Sequence, residues 1–127
     1  MTKKVLVITE AQNAFITAAL GNKECEAAVK NIVAAAKSGE YYKVIITQDT
    51  HTADYLDTQE GKRLPILHGQ EGTAGYEIHP DIMKAVREHY APENVITVKK
   101  PTFGSPEFGK LLKTIWEEVV AAGEAAE

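Results

Sequence analysis

A chain of 127 residues is long enough for one hydrophobic core but not for two. Its 44% apolar and 25% charged content is ordinary for a globular domain, and a net charge of −4 excludes the broad basic face that nucleic-acid binding requires. No apolar run approaches the roughly 20 residues that span a bilayer, and the short run after Met-Thr-Lys-Lys is too brief for a signal peptide and reads as a buried strand.

Three β-branched runs punctuate the chain, Val5–Thr9, Val44–Thr47 and Val95–Val98. None alternates apolar with polar, which predicts parallel strands covered on both faces. After the first run, Asn22 can cap a helix with Ala28, Val29, Ile32, Val33 and Ala36 on one stripe and Gly39 near its end. After the second, the segment from Gln48 to about His79 shows no periodicity but is rich in His, Asp, Gly and Pro. Irregular segments of that length are uncommon inside compact domains and are often functional. A second helix begins near Pro80, carries Ile82, Val86 and Tyr90, and stops before Pro92. The third starts at Ser105-Pro106-Glu107 and runs Phe108, Leu111, Leu112, Ile115, Trp116 and Val119 at helical spacing. Its Ala/Glu-rich tail, to Glu127, reads as a helix end with no strand to follow. Strand–helix pairs in this order predict an α/β, Rossmann-like three-layer sandwich, a single domain over residues 1–127 with a parallel sheet flanked by helices.

Three groups can carry chemistry. Glu10 follows the first run, and a carboxylate at a strand's carboxyl end can act as a general base or simply be a solvated loop residue. Asp49-Thr50-His51 places a carboxylate and an imidazole within reach of one ion, and His68 can add a third ligand. Three N/O ligands with an open position describe a catalytic zinc or iron site; loop residues bonded to backbone are the alternative. Lys100 follows the third run, where an ammonium can stabilise developing negative charge or merely face solvent. Glu10, Asp49 and Lys100 all follow carboxyl ends of strands, so they converge on one crevice. The only cysteine, Cys25, excludes an internal disulfide and fits a reducing cytoplasm. It sits in the first turn of a helix but well beyond the strand end, and reads as an incidental thiol.

The motifs in sequence resemble a known family. Val7-Ile8-Thr9-Glu10-Ala11-Gln12-Asn13-Ala14-Phe15 is similar to the opening Val-Ile-Asp-Met-Gln-Asn-Asp-Phe stretch of cysteine hydrolases of the isochorismatase/nicotinamidase family. Thr47-Gln48-Asp49-Thr50-His51 resembles the segment after that family's second strand. Thr58 to Pro65, with His68, Gly72-Thr73 and Gly75, resembles its long loop, and Lys100-Pro101-Thr102-Phe103-Gly104-Ser105 its catalytic-lysine stretch. The resemblance, from about Val5 to Phe108, implies a parallel sheet with strand order 3-2-1 over this region. It also implies an Asp–Lys–Cys triad and, in many amidases, a metal. By position Glu10 stands at the aspartate, Lys100 at the lysine, and Asp49, His51 and His68 at metal ligands.

The departures point away from activity. No cysteine follows Lys100, Glu10 is longer than aspartate by one methylene, Ala14 replaces an acidic residue, and Gly69 replaces a cysteine. Without a nucleophile no covalent intermediate forms. The expected protein is therefore an engineered or truncated, cytoplasmic, isochorismatase-like domain, catalytically inactive, with Glu10 and Lys100 vestigial. It holds no cofactor, or a divalent metal such as zinc. Its exposed Val5–Thr9 edge or its C-terminal helix is expected to pair two copies, with no nucleic-acid or membrane partner. Two alternatives stand beside this reading: a metal-dependent amide hydrolase of the nicotinamidase type, with Glu10 as base, and a protein- or small-molecule-binding module.

Overall fold

A computed structural model describes residues 2–18, 20–102 and 104–127. In chain order the elements are β1 (Thr2–Lys3), β2 (Val5–Thr9), α1 (Asn13–Ile16), α2 (Lys23–Lys37), β3 (Lys43–Asp49), α3 (Gln59–Arg63), α4 (Pro80–His89), β4 (Val95–Lys100), α5 (Pro106–Ala121) and β5 (Ala125–Ala126). Single 3-10 turns lie at Tyr55–Asp57 and Pro92–Asn94.

Strands β2, β3 and β4 form a parallel sheet in that spatial order, with Ile8 opposite Ile46 and Thr47 opposite Val98. This is the expected 3-2-1 arrangement. Because side chains alternate along a strand, β3 feeds both layers of the core. Val44 and Ile46 pack with Val29 and Ala36 of α2 and with Ile82 and Val86 of α4. Ile45 points the other way, onto Val98 and onto Ile115 and Val119 of α5. Helices on both faces make the three layers. Only β3 is buried along nearly its whole length; β2 and β4 are edges and are partly open. The expectation of three doubly covered strands therefore holds for the centre alone.

The helices begin where the sequence signals lie. Asn22 Oδ1 accepts the Cys25 N–H at 2.8 Å, and Ser105 Oγ accepts that of Phe108 at 3.1 Å, each satisfying an otherwise orphaned donor. Pro80 and Pro106 open α4 and α5, where no N–H is needed. The apolar stripe of α5 is wider than the face it buries: Ile115 and Val119 are buried, while Leu112 and Trp116 are exposed.

The tail departs from the sequence expectation. Gly123, at φ 78°, turns the chain after α5, a left-handed conformation that favours glycine. Ala125–Ala126 then pair in parallel with Thr2–Lys3. The ladder continues as Glu127 N–H donates to Lys3 O at 2.8 Å and Val5 N–H donates to Glu127 O at 2.7 Å. The last helix does deliver the chain to a strand. Two alanines carry no periodicity, and only the backbone pairing defines the element. The Val5–Thr9 edge is thus covered at its start and open from Val7 onward. Among the described residues no helix is long and apolar enough to cross a membrane.

Candidate metal centre

The site is built at the carboxyl end of the sheet, where β3 runs two residues further than its apolar run and ends at Asp49. Its anchor is Gln12, which is completely buried. The backbone of β2 leaves the ladder after Glu10, whose N–H donates to Thr47 O at 3.0 Å and whose φ is 51°. The side-chain amide of Gln12 then continues the ladder. Its Oε1 accepts the Asp49 N–H at 2.7 Å, and its Nε2 donates to Asp49 O at 2.9 Å. The same Nε2 donates to Tyr76 O at 2.9 Å, tying the long loop to the strand end. The loop is held further by Asn13 N–H to Glu77 O and Ala14 N–H to Gly75 O, each at 2.9 Å. The segment without periodicity is therefore ordered by long-range bonds.

Within this frame Asp49, His51 and His68 converge. Asp49 Oδ2 lies 2.9 Å from His51 Nε2 and 3.2 Å from His68 Nε2, and all three residues are buried. Glu60, on the short helix α3, brings Oε1 to 4.0 Å from His51 Nε2. One ligand atom from each of the four lies within 4.8 Å of every other. Aromatic rings wall the cluster: Tyr55 stands 4.3 Å from His51 and 4.9 Å from His68 between ring centroids, and Phe15 stands 5.4 Å from His68. Tyr55 donates its hydroxyl to Leu64 O at 3.1 Å. Burial, then the nearby Glu60 and Asp49 carboxylates, raise its pKa above the usual tyrosine value.

The hydrogen-bond geometry shows what the cluster requires. His68 Nδ1 is 2.6 Å from Ile66 O, a pure acceptor, so Nδ1 carries a proton. In the neutral imidazole Nε2 then presents a lone pair toward the Asp49 carboxylate, which is also an acceptor. Two facing acceptors need a proton or a cation between them. The donor set of two imidazoles and two carboxylates suits a divalent ion, and the fixed Nδ1–H is the outer support such ligands commonly have. The backbone of His51 is held by its main-chain N–H donating to Gly69 O at 2.7 Å. Gly69 has φ 64°, and a Cβ there would stand 2.9 Å from Asp49 O and 3.1 Å from His51 Cδ2, so this approach depends on glycine.

The other two expected residues form a separate pair. Lys100 Nζ is 2.8 Å from Glu10 Oε1, spanning the top of β3 from β4 to β2. Asp49 turns to the histidines instead of joining this pair. The expected crevice thus divides into an acid–base pair and a histidine–carboxylate cluster. A groove of about 400 Å³ opens beside the cluster, lined by His51, Glu60, Arg63, Pro101 and Thr102 among others. Cys25 lines a different groove, of about 270 Å³, with Thr9, Glu10 and Phe15. It is half-buried there and shares the groove with the end of β2, although its sequence position lies well beyond that strand. Glu60 was not singled out from the sequence. The signal was Thr58-x-x-Gly61: Thr58 Oγ1 accepts the Gly61 N–H at 3.0 Å and starts the turn that aims Glu60 inward.

A parallel sheet with helices on both faces and a polar cluster at the carboxyl end of its central strand defines the class of open α/β domains, in which that end of the sheet is where ligands sit. Within that class the chain belongs to the isochorismatase-domain family, whose sequence profile matches residues 4–126. No curated protein matches the chain by sequence. Among solved structures, a nicotinamidase/pyrazinamidase from Bacillus subtilis is similar, with TM-score 0.74 and 24% identity, over 89% of this chain and 66% of that one. A pyrazinamidase/nicotinamidase from Streptococcus mutans is similar with TM-score 0.74 and 20% identity, over 89% of this chain and 66% of that one. A pyrazinamidase from Pyrococcus horikoshii in complex with zinc has TM-score 0.63 and 18% identity, over 89% and 65%. The chain therefore spans just under two thirds of the length of these relatives. At such identities the likeness shows the fold.

Proposed function

We propose that this domain binds one divalent ion, zinc by its donor set, through Asp49, His51, His68 and Glu60, and holds a small amide-like molecule in the adjoining groove without hydrolysing it by the family's covalent route. The observation that carries the reading is the convergence of His51 Nε2 and His68 Nε2 on one buried carboxylate oxygen of Asp49, at 2.9 and 3.2 Å, with Glu60 beside them. The zinc in the Pyrococcus horikoshii pyrazinamidase supports the choice of metal. When bound, the ion supplies Lewis-acid polarisation of a carbonyl or acidification of a water. Gln12 fixes Asp49, Ile66 O fixes the His68 tautomer, and the aromatic walls limit water. Glu10 and Lys100 neutralise each other as a structural pair. The one thiol, Cys25, makes no hydrogen bond to either among the described residues, which supports leaving it outside the proposed chemistry.

The test is metal analysis of protein purified without chelator, followed by zinc titration of the stripped protein. About one zinc per chain is expected, lost in His51→Ala and His68→Ala; no uptake at micromolar zinc would sink the metal reading. An amidase assay on pyridine-3-carboxamide is expected to show no turnover, and turnover by the purified chain overturns the inactive assignment.

Self-association is proposed through α5. Leu112, Trp116 and Val120 recur every fourth residue and are 38%, 55% and 45% exposed. Leu112 and Trp116 border an apolar groove of about 520 Å³ that reaches Val5 and Ala126. A second copy offering the same stripe buries both. The alternative pairing of two Val5–Thr9 edges is disfavoured, because an antiparallel partner strand would overlap β5 beside Lys3. Light scattering should give a dimer mass that Trp116→Lys reduces to a monomer; a monomer for the unmodified chain at high concentration rules the pairing out.

A further inference from the structure

The sheet ends in an edge that is only half covered. Successive residues of a parallel strand turn their N–H and C=O to opposite sides. Lys4 O accepts the Tyr42 N–H and Glu10 N–H donates to Thr47 O, so even-numbered residues along β2 bond toward β3. Lys3 and Val5 bond the other way, to Glu127. By the same alternation Val7 and Thr9 turn their N–H and C=O outward, where no strand among the described residues meets them.

The side chains beside this edge say what could cover it. Leu6 and Ile8 face the α2 layer and Val5 faces the α5 layer. The open edge therefore runs between two grooves, one on each face of the sheet. One, of about 350 Å³, is lined by Leu6, Ile8, Asn31, Ile32 and Ala35 among others. The other is the groove of about 520 Å³ at Val5, Ile115 and Trp116. An added strand places alternate side chains in the two grooves. Only a segment apolar at successive positions fits both, as in a parallel strand covered on both faces. Direction is set by β5, which runs parallel to β1 along the same line and brings Glu127 to Val5.

We propose that β2 from Val7 onward takes up an extended, β-branched segment of a partner protein, parallel to β2 and in line with β5. The segment's N–H and C=O meet those of Val7 and Thr9. A second copy is a poor occupant, because its own three apolar runs are already paired in its sheet. The inference does not depend on the metal reading. The α5 pairing would share the Trp116 groove with it, so light scattering on the same samples judges that pairing separately.

The probe is the capped peptide Lys-Val-Ile-Val-Thr-Val-Lys carrying a nitroxide at one end or the other. It is titrated into the full chain and followed by fluorescence of Trp116, the only tryptophan. Saturable quenching is expected, stronger from the amino-end label, because Trp116 borders the groove at the start of β2. Two further peptides are N-methylated at alternate residues, one at odd and one at even positions. Methyl groups facing β2 remove the ladder donors and should weaken binding at least about tenfold, while those facing outward should leave it unchanged. Val7→Pro deletes an N–H that β3 does not use and should also weaken binding about tenfold, with circular dichroism confirming the fold. If that variant fails to fold, the methylated peptides on the unmodified chain decide alone. The assignment is overturned by no saturable binding up to about 1 mM peptide, by equal binding of the two methylated peptides, or by full binding to folded Val7→Pro. Stronger quenching from the carboxyl-end label overturns it as well.

Discussion

Replacing Gln12 by alanine should be the most damaging single change at the site, although Gln12 is neither a ligand nor an acid or base. Its amide makes three buried hydrogen bonds, two of them to the N–H and C=O of Asp49. Alanine removes all three. Tyr76 O keeps a partner, since Gln48 Nε2 donates to it at 3.2 Å. The two Asp49 backbone groups lose theirs, and an unsatisfied buried group costs about 1–3 kcal/mol. Two such groups, with a small cavity added, give about 3–5 kcal/mol. Against a total of about 5–15 kcal/mol, that is a large share of the domain's stability. Urea unfolding followed by tryptophan fluorescence measures it directly. With a slope of about 1–3 kcal/mol per molar, the midpoint should fall by roughly 2 M. Zinc affinity should fall about 10–100-fold as well, because Asp49 loses the support that aims its carboxylate. A loss below about 1 kcal/mol, with zinc affinity unchanged, would refute the claim that this amide completes the sheet.

Gly69→Ala forces a side chain into a positive-φ position against Asp49 O and His51, and should cost about 1–3 kcal/mol in urea unfolding and lower zinc affinity. Lys100→Met strands the Glu10 carboxylate, which is 24% exposed and so remains partly solvated; the expected loss is about 1 kcal/mol, recovered in part when Glu10→Gln is added. For Tyr55 the folded pKa lies above that of the unfolded chain, so the neutral form is the one the fold prefers. The unfolded chain releases its proton first as pH rises through about 10, and stability should therefore decline above that pH. Tyr55→Phe should lessen this decline in alkaline unfolding without abolishing it, because Tyr42 and Lys99 are raised as well, while a curve of unchanged pH dependence counts against the burial argument.

The parts of this fold that sequence displayed are those fixed by local chemistry. Asn22, Pro80 and Ser105-Pro106 mark helix starts because capping is a contact within one turn. The three β-branched runs mark the sheet because no other element tolerates so many branched residues in a row. The limits of the strands were less legible. Asp49 and Lys100 are polar, yet both are strand residues paired to each other across β3 and β4, a register that only the neighbouring strand determines. The width of the α5 stripe misled in the opposite direction, since Leu112 and Trp116 share helical spacing with Ile115 and Val119 but not their cover.

The site shows the same division. Asp49, His51 and His68 were recognisable as ligand types, and the fold brings them together. Glu60 was not, because a five-residue helix has too little length for a period, and its carboxylate is aimed by Thr58 and by the chain's approach to Tyr55. Gln12 was visible as part of a motif but carried no role, since its partners lie 37 and 64 residues away. An amide in a sequence gives no sign that it will stand in for a peptide bond. That substitution is what turns a strand end and an aperiodic loop into one rigid frame, so the geometry of the three ligands depends most on a residue with no chemistry of its own.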